Sequence, residues 1–264
     1  MEGHIMALSE ADHPLLVEDE SMESGVVRVL TLNRPSKRNA IDTNLFRHLY
    51  TQLLAANSDS AVRAVVLAGT GPHFCGGGDL KEFLGLPDAR DRMIARAHLL
   101  ASVQQLMPTM SIPVVAAVQG AALGAGAALA LGVDVTVAGS DLAIGYPELM
   151  DGVVPALVMT QPVHQLSRKI AFEMITAGRR LGAGEAERHG LINRVVGPAQ
   201  VRASALETAK LWADVDRRTL ARAKKLFYRL VELPHTAAID TGLDTTAATW
   251  QPWQSQRQLN EIST

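Results

Sequence analysis

Two glycine-rich stretches constrain this chain most, because each follows an apolar run that is typical of a buried strand. The first stretch covers residues 74–80, contains three consecutive glycines and follows the apolar run 63–68. The second stretch covers residues 120–126 and follows the run 113–118. Since few side chains stand in the way, a ligand could approach the backbone of both stretches closely. Two backbone N–H groups that converge on one carbonyl oxygen would form an oxyanion hole.

Strand-like and helical patterns alternate along the first half of the chain and predict an α/β arrangement of repeated strand–helix units. From about residue 200 the pattern is helical only, and residues 217–230 are strongly amphipathic with a basic polar face. The strand-like runs cover residues 26–32, 62–68, 113–118 and 133–138, and the helical patterns cover 43–56, 90–107 and 121–131.

Composition narrows the class of protein. With 264 residues, of which 47% are apolar, the chain can build one large core. The net charge of −2 provides no global basic field, so nucleic acid is not a favoured partner. The single cysteine, Cys75, excludes an internal disulfide, and without a Cys–His motif beside it a packing role is favoured over a nucleophile.

No membrane-spanning or secretory segment is recognised. No stretch reaches the roughly 18 apolar residues of a membrane span. Residues 1–24 are polar and acidic and lack the hydrophobic core of a signal peptide. We therefore expect a flexible leader over 1–24, a cytoplasmic location and no membrane partner.

Taken in order, a series of motifs resembles the crotonase superfamily, that is, the enoyl-CoA hydratase/isomerase family. The resemblance runs from about Gly25 to about Gly197 and continues more weakly beyond. The matching segments are Leu-Thr-Leu-Asn-Arg-Pro-Ser-Lys-Arg-Asn-Ala at 30–40, then 74–81, 112–114, 120–126, Tyr-Pro-Glu at 146–148, 176–181, 183–190 and 191–196.

The resemblance implies an α/β fold of the crotonase/ClpP-like type, a spiral of ββα repeats with a helical C-terminal region. It places the core with the active site at 25–197 and a helical trimerisation region at 198–264. Family members assemble as homotrimers or as hexamers built from two trimers, and we expect the same here. One departure is that the closing helix usual in the family is not recognisable after Asp240.

For the chemistry, the resemblance implies that the N–H groups of Gly78 and Ala125 form the oxyanion hole for a thioester. Most relatives carry glycine at the position of Ala125. Family hydratases use two glutamates, and here the first of those positions is Ala128 while the second is Glu148. A single carboxylate at the second position resembles the pattern of Δ3,Δ2-enoyl-CoA isomerases, with Glu148 as the acid/base.

Two alternatives remain open. The chain could be a hydratase in which Asp151, three residues after Glu148, or a bound water replaces the missing glutamate. Asp151 is otherwise a solvated loop charge. The other alternative is an acyl-CoA-binding homologue without catalytic activity.

The substrate implied by the resemblance is an acyl-CoA thioester, with coenzyme A entering as part of the substrate and no separate cofactor. No metal is expected, since the histidines match no ligand spacing. Lys224 and Lys225 are weaker candidates for contacts to the adenosine phosphates. The residues expected to bind the substrate are Arg34, Lys37 and Arg38 in the turn after the first strand, Gly78, Asp79, Leu80 and Lys81 along the pantetheine and thioester, and Ala125.

Overall fold

The computed structural model describes residues 13–249 of the 264-residue chain. Its strands are β1 (Leu15–Met22), β2 (Gly25–Leu32), β3 (Val62–Gly69), β4 (Val114–Val118), β5 (Ala121–Leu123), β6 (Val135–Gly139), β7 (Ala143–Gly145), β8 (Leu181–Gly182) and β9 (Arg194–Val196). Its helices are α1 (Thr43–Ser58), α2 (Ala89–Thr109), α3 (Ala125–Leu131), α4 (Thr160–Gln165), α5 (Arg168–Thr176), α6 (Ala183–Arg188), α7 (Val201–Ala213), α8 (Arg217–Val231) and α9 (His235–Thr249).

The larger of two sheets has six strands in the order β1-β2-β3-β4-β6-β9, all parallel except β1. Every residue of β4 is buried, as is nearly all of β3, because helices cover both faces of the sheet. Val29 and Val66 pack with α7 on one face, whereas Leu30 and Val65 face the main core with α1 and α2. The predicted strands over these segments are confirmed.

Successive turns of the chain each contribute one strand to the large sheet and one to a smaller sheet with the order β5-β7-β8. β4 lies in the large sheet and is followed by β5 in the small sheet and then by α3. β6 and β7 repeat the same alternation. One turn earlier, β3 is followed by Cys75, which forms an isolated parallel bridge with Ala122 of β5, and then by α2. This is the ββα spiral expected from the resemblance.

The expectation of a flexible leader over residues 1–24 is wrong for its second half. β1 pairs antiparallel with β2 along its whole length, from Leu15 opposite Leu32 to Met22 opposite Gly25. The segment looked unstructured because β1 is an edge strand with acidic side chains exposed, a common way to keep an edge from pairing further. Residues 1–12 lie outside the described part.

The helix predicted over 121–131 is only partly helical. This segment divides into strand β5 and helix α3, which are separated at Gly124, where φ is +50°.

The C-terminal region from α7 to α9 is helical, as the sequence predicts. Its expected role in trimerisation stays a prediction, and the unusual segment after Asp240 continues beyond Thr249 outside the described residues. Within residues 13–249, no helix is both long enough and apolar enough to cross a bilayer.

Candidate active site

The fold brings the two glycine-rich stretches side by side through backbone hydrogen bonds. The N–H of Cys75 donates to the carbonyl of Ala121 at 3.0 Å, and the N–H of Leu123 donates to the carbonyl of Cys75 at 3.0 Å. Residue 75 therefore extends the small sheet beside β5. As a result, Gly78 and Ala125, each three residues beyond the paired residues Cys75 and Ala122, emerge at the same edge.

The glycines permit this close approach. A Cβ at Gly126 would lie only 2.4 Å from the carbonyl oxygen of Cys75, and one at Gly77 would lie 3.2 Å from that of Leu123. Gly77 also has a φ of +112°, a conformation that residues with side chains rarely adopt. Bulkier residues would push the two stretches apart.

The two predicted oxyanion donors have no acceptor of their own. Around Gly78, the amide of Gly76 donates to the carbonyl of Arg38 at 2.7 Å and that of Asp79 donates to Ile41 at 2.9 Å, whereas the Gly78 N–H makes no hydrogen bond to any residue from 13 to 249. The N–H of Ala125, in the first turn of α3, is equally without a partner in this range. Both groups are free to bind a ligand oxygen, and the helix start adds partial positive charge.

Glu148 lies against the second stretch. It opens a short 3-10 turn, Glu148–Asp151, after β7, and its carboxylate packs onto the Cα of Gly124: a Cβ there would be 2.1 Å from Oε1. Oε2 is buried and has no hydrogen-bond partner among the described residues. Burial raises the pKa of Glu148, and the negative charge of Asp151 raises it further, although a backbone hydrogen bond opposes both. A raised pKa suits a carboxylate that has to take a proton and return it.

The other family glutamate position carries no acid. Ala128 lies one helical turn after Ala125, on the same face of α3, and is fully buried. Asp151, the sequence-based substitute, is exposed and acts on Glu148 through its charge.

Four of the predicted substrate-binding residues share one cleft of about 290 Å³. The cleft is lined by Arg34, Lys37, Asp42, Asn44, Asp79, Lys81 and Glu82. Arg34 points inward, where it pairs with Asp79 at 2.8 Å and with Asp42 at 3.0 Å. Lys37 contacts Asp79 at 3.2 Å but keeps 58% of its side chain exposed. Burial raises the pKa of Asp79, but the hydrogen bonds from Arg34 and Lys37 outweigh this effect and lower the pKa below its usual value.

The remaining predicted contacts are placed differently. Arg38 packs beside Gly76, where its Cβ is 3.2 Å from the position of a Gly76 Cβ, and Leu80 is 46% exposed. Neither residue lines the cleft.

The suggestion that Lys224 reaches adenosine phosphates is wrong. Its ammonium group is buried, donating to Asp134 at 2.7 Å and to the carbonyl of Ile112 at 2.9 Å. Tyr228 donates to the other oxygen of Asp134 at 2.8 Å. Asp134 also accepts a hydrogen bond from the N–H of Val114 at 2.7 Å and therefore joins α8 to the sheet. Lys225 is exposed.

Cys75 is fully buried, and burial raises the pKa of its thiol to about 12. A thiol with so little thiolate is a poor nucleophile. This supports the packing role.

Sequence reasoning missed Arg96. Its guanidinium is buried beside Gly78, with Nη2 3.2 Å from the position of a Gly78 Cβ. Nothing in the sequence separates it from Arg90 and Arg92, which are exposed on the same polar helix.

With this geometry established, comparisons with known proteins identify the family. The sequence profile described as enoyl-CoA hydratase/isomerase matches residues 22–260. The chain belongs to the enoyl-CoA hydratase/isomerase family. Among relatives of this family, it is 37% identical over 220 residues to a protein of Rhizobium meliloti named probable enoyl-CoA hydratase, covering 83% of this chain and 82% of the relative. It is 33% identical over 218 residues to the 2,3-dehydroadipyl-CoA hydratase of Escherichia coli, covering 82% of each.

Solved structures of this family share the fold. The crystal structure of an enoyl-CoA hydratase of Mycobacterium smegmatis superposes with a TM-score of 0.81 at 31% identity, covering 88% of this chain and 90% of the other. One of Bacillus anthracis gives 0.82 at 25% identity, covering 90% and 91%. The crotonase-type fold expected from the motifs is therefore confirmed.

Proposed function

We propose that this member of the enoyl-CoA hydratase/isomerase family is an isomerase that moves a double bond in enoyl-CoA thioesters. The observation that carries the proposal is the single carboxylate: Glu148 lies beside the start of α3 with a raised pKa, whereas the first of the two family glutamate positions holds Ala128. Moving a proton needs one group that takes and returns it, whereas adding water needs two groups.

In the proposed reaction, the N–H groups of Gly78 and Ala125 hold the thioester oxygen. Glu148 removes a proton from C2 of a 3-enoyl group, and the electron pair delocalises to the thioester oxygen as a dienolate. The protonated Glu148 then returns the proton to C4, which leaves the double bond between C2 and C3. Two donors aimed at the oxygen would be the main source of rate, since losing one such donor typically costs about 10²–10³-fold.

The test is Glu148→Gln, which removes the proton acceptor but keeps the shape of the side chain. We expect the isomerisation rate to fall by about 10²–10⁴-fold, with acyl-CoA affinity within about threefold of the wild type. The matched control is Glu173→Gln, at an exposed position of α5, which should change neither quantity. Full isomerase turnover by Glu148→Gln would refute the assignment.

The second candidate is a hydratase, which the names of the relatives favour. In that case Asp151 or an ordered water would assist Glu148. Rapid hydration of 2-enoyl-CoA by the wild-type protein, lost in Asp151→Asn, would establish this candidate over the isomerase. If the isomerase proposal is correct, wild-type hydration is slow, and Ala128→Glu raises it where the added side chain fits.

The proposal includes the binding mode and assembly expected from the family. Coenzyme A is part of the substrate, held by the cleft that contains Lys37 and Lys81, and no separate cofactor takes part. We also propose a homotrimer or a hexamer in the cytoplasm. Light scattering of the purified protein measures the assembly directly.

A further inference from the structure

Arg96 is a buried cation with most of its donors unused. It lies in α2 with 9% of its surface exposed, and the ring of Phe83 packs under the guanidinium at 4.6 Å. Nη1 donates to the carbonyl of Asp79 at 3.1 Å. Nη2 makes no hydrogen bond to any residue in the described range. Since a guanidinium has five N–H donors, most of the donors of Arg96 remain available to a ligand.

The surrounding carboxylates are held by other groups. The nearest oxygen, on Glu82, is 3.7 Å from Nη1, and this carboxylate accepts a hydrogen bond from the N–H of Thr43 at 3.0 Å. Asp79 pairs with Arg34 and Lys37, and Arg34 also pairs with Asp42. None of these carboxylates forms a hydrogen-bonded pair with Arg96, which therefore keeps room for an anionic ligand.

The guanidinium lies directly beside a proposed oxyanion donor. Nη2 is 3.2 Å from the position of a Gly78 Cβ, and Cζ is 3.4 Å from it. By standard backbone geometry, Nη2 is therefore within roughly 6 Å of the Gly78 nitrogen. An acyl group whose thioester oxygen binds that nitrogen has its next few carbons within reach of Arg96.

We propose that Arg96 binds a carboxylate at the far end of the acyl group, so that the site takes mono-CoA thioesters of short unsaturated dicarboxylic acids. This inference rests on the proposed binding of the thioester at Gly78 and Ala125. A carboxylate matches the planar donor pattern of a guanidinium and can accept two parallel hydrogen bonds from it. An unbranched alkyl chain would instead displace solvent from the cation without offering it an acceptor.

The experiment compares two substrates that differ only in charge: the mono-CoA thioester of hex-3-enedioic acid and its methyl ester. For the wild type we expect kcat/KM to favour the acid by about 100-fold, as for a charge-assisted pair in a buried site. Arg96→Met should remove most of this preference by slowing the acid alone. Arg96→Lys should keep part of it, because an ammonium retains the charge but loses the two-point contact. Arg92→Met, one turn earlier and exposed, is the matched control and should change nothing.

Binding provides a second readout that does not depend on turnover. Calorimetry with the mono-CoA thioester of adipic acid and its methyl ester should show the same preference in Kd and the same loss in Arg96→Met. Equal kcat/KM values and equal Kd values of the wild type for the acid and the ester would overturn the inference. So would an equal slowing of both substrates by Arg96→Met, which would assign Arg96 to stabilising the thioester oxygen. A wild type that binds neither adipyl thioester would also overturn the inference, whereas the rate with plain 3-enoyl-CoA tests the proposed function separately.

Discussion

Gly124→Ala is the sharpest test of the active-site geometry. Gly124 separates β5 from α3 and has a φ of +50°, and the added Cβ would lie 2.1 Å from Oε1 of Glu148. An ordinary contact between carbon and oxygen is about 3.3 Å, so the carboxylate must retreat by roughly 1 Å. A displacement of 1 Å in a reacting group costs about 10²-fold in rate. We therefore expect isomerase kcat to fall by about 10²-fold.

The backbone of Gly124 adds a separate cost to stability, because its combination of φ +50° and ψ −114° is one that glycine alone adopts readily. Gly152→Ala is the control for a positive φ without a steric contact, because Gly152 is in the αL region with a φ of +71° and has no atom within 4 Å of its added Cβ. Both variants should lose stability in urea unfolding, Gly124→Ala the more, while only Gly124→Ala loses catalysis. The assay is the initial rate with 3-enoyl-CoA at saturating substrate. If Gly124→Ala keeps a third or more of the wild-type kcat, or if Gly152→Ala loses as much, the placement of Glu148 against Gly124 is not what positions the base.

Two further predictions concern charge. Asp151→Asn removes a negative charge that raises the pKa of Glu148, so this pKa should fall. Because the base must be ionised, the acid limb of the kcat/KM profile should then move to lower pH. A limb that stays in place or moves to higher pH would contradict the coupling. Lys224→Met leaves the buried Asp134 without its cation and should lower the free energy of unfolding by about 3–5 kcal/mol in urea titrations. The control Lys225→Met, at an exposed position, should change it by no more than about 0.5 kcal/mol. A loss below about 1 kcal/mol for Lys224→Met would show that the other partners of Asp134 satisfy it.

The central strands could be predicted from the sequence because their signal is local. β3 and β4 are buried on both faces, and such strands are read as unbroken apolar runs bounded by turn residues. The pairing of the glycine-rich stretches was also predictable, since each follows one of these parallel strands. The edge strand β1 was missed because an edge needs few apolar residues, and its acidic side chains resemble those of a leader.

The roles of individual charged residues could not be predicted locally. Lys224 lies on an amphipathic helix whose polar face is basic, yet its partner Asp134 is 90 residues away in the chain. Arg96 is one of several arginines on α2, and only the packing of that helix against Gly78 distinguishes it. Both cases depend on long-range packing, which the spacing of charges along one helix does not encode.

Several polar groups without partners meet at the candidate site. Elsewhere among the described residues, Nδ1 of His48 and Nε of Arg217 are also buried without a partner. The buried charges of Lys224 and Asp134, however, bond to each other and to backbone groups, which offsets the cost of removing them from water. At the site, by contrast, the N–H groups of Gly78 and Ala125 and one oxygen of Glu148 have no partner among the described residues. Unpaired buried groups lower stability, and a ligand that completes them is one reason for them to persist. A thioester oxygen between the two donors and an acidic carbon beside Glu148 would satisfy these groups together, which is why the proposed chemistry accounts for the arrangement better than a packing role does.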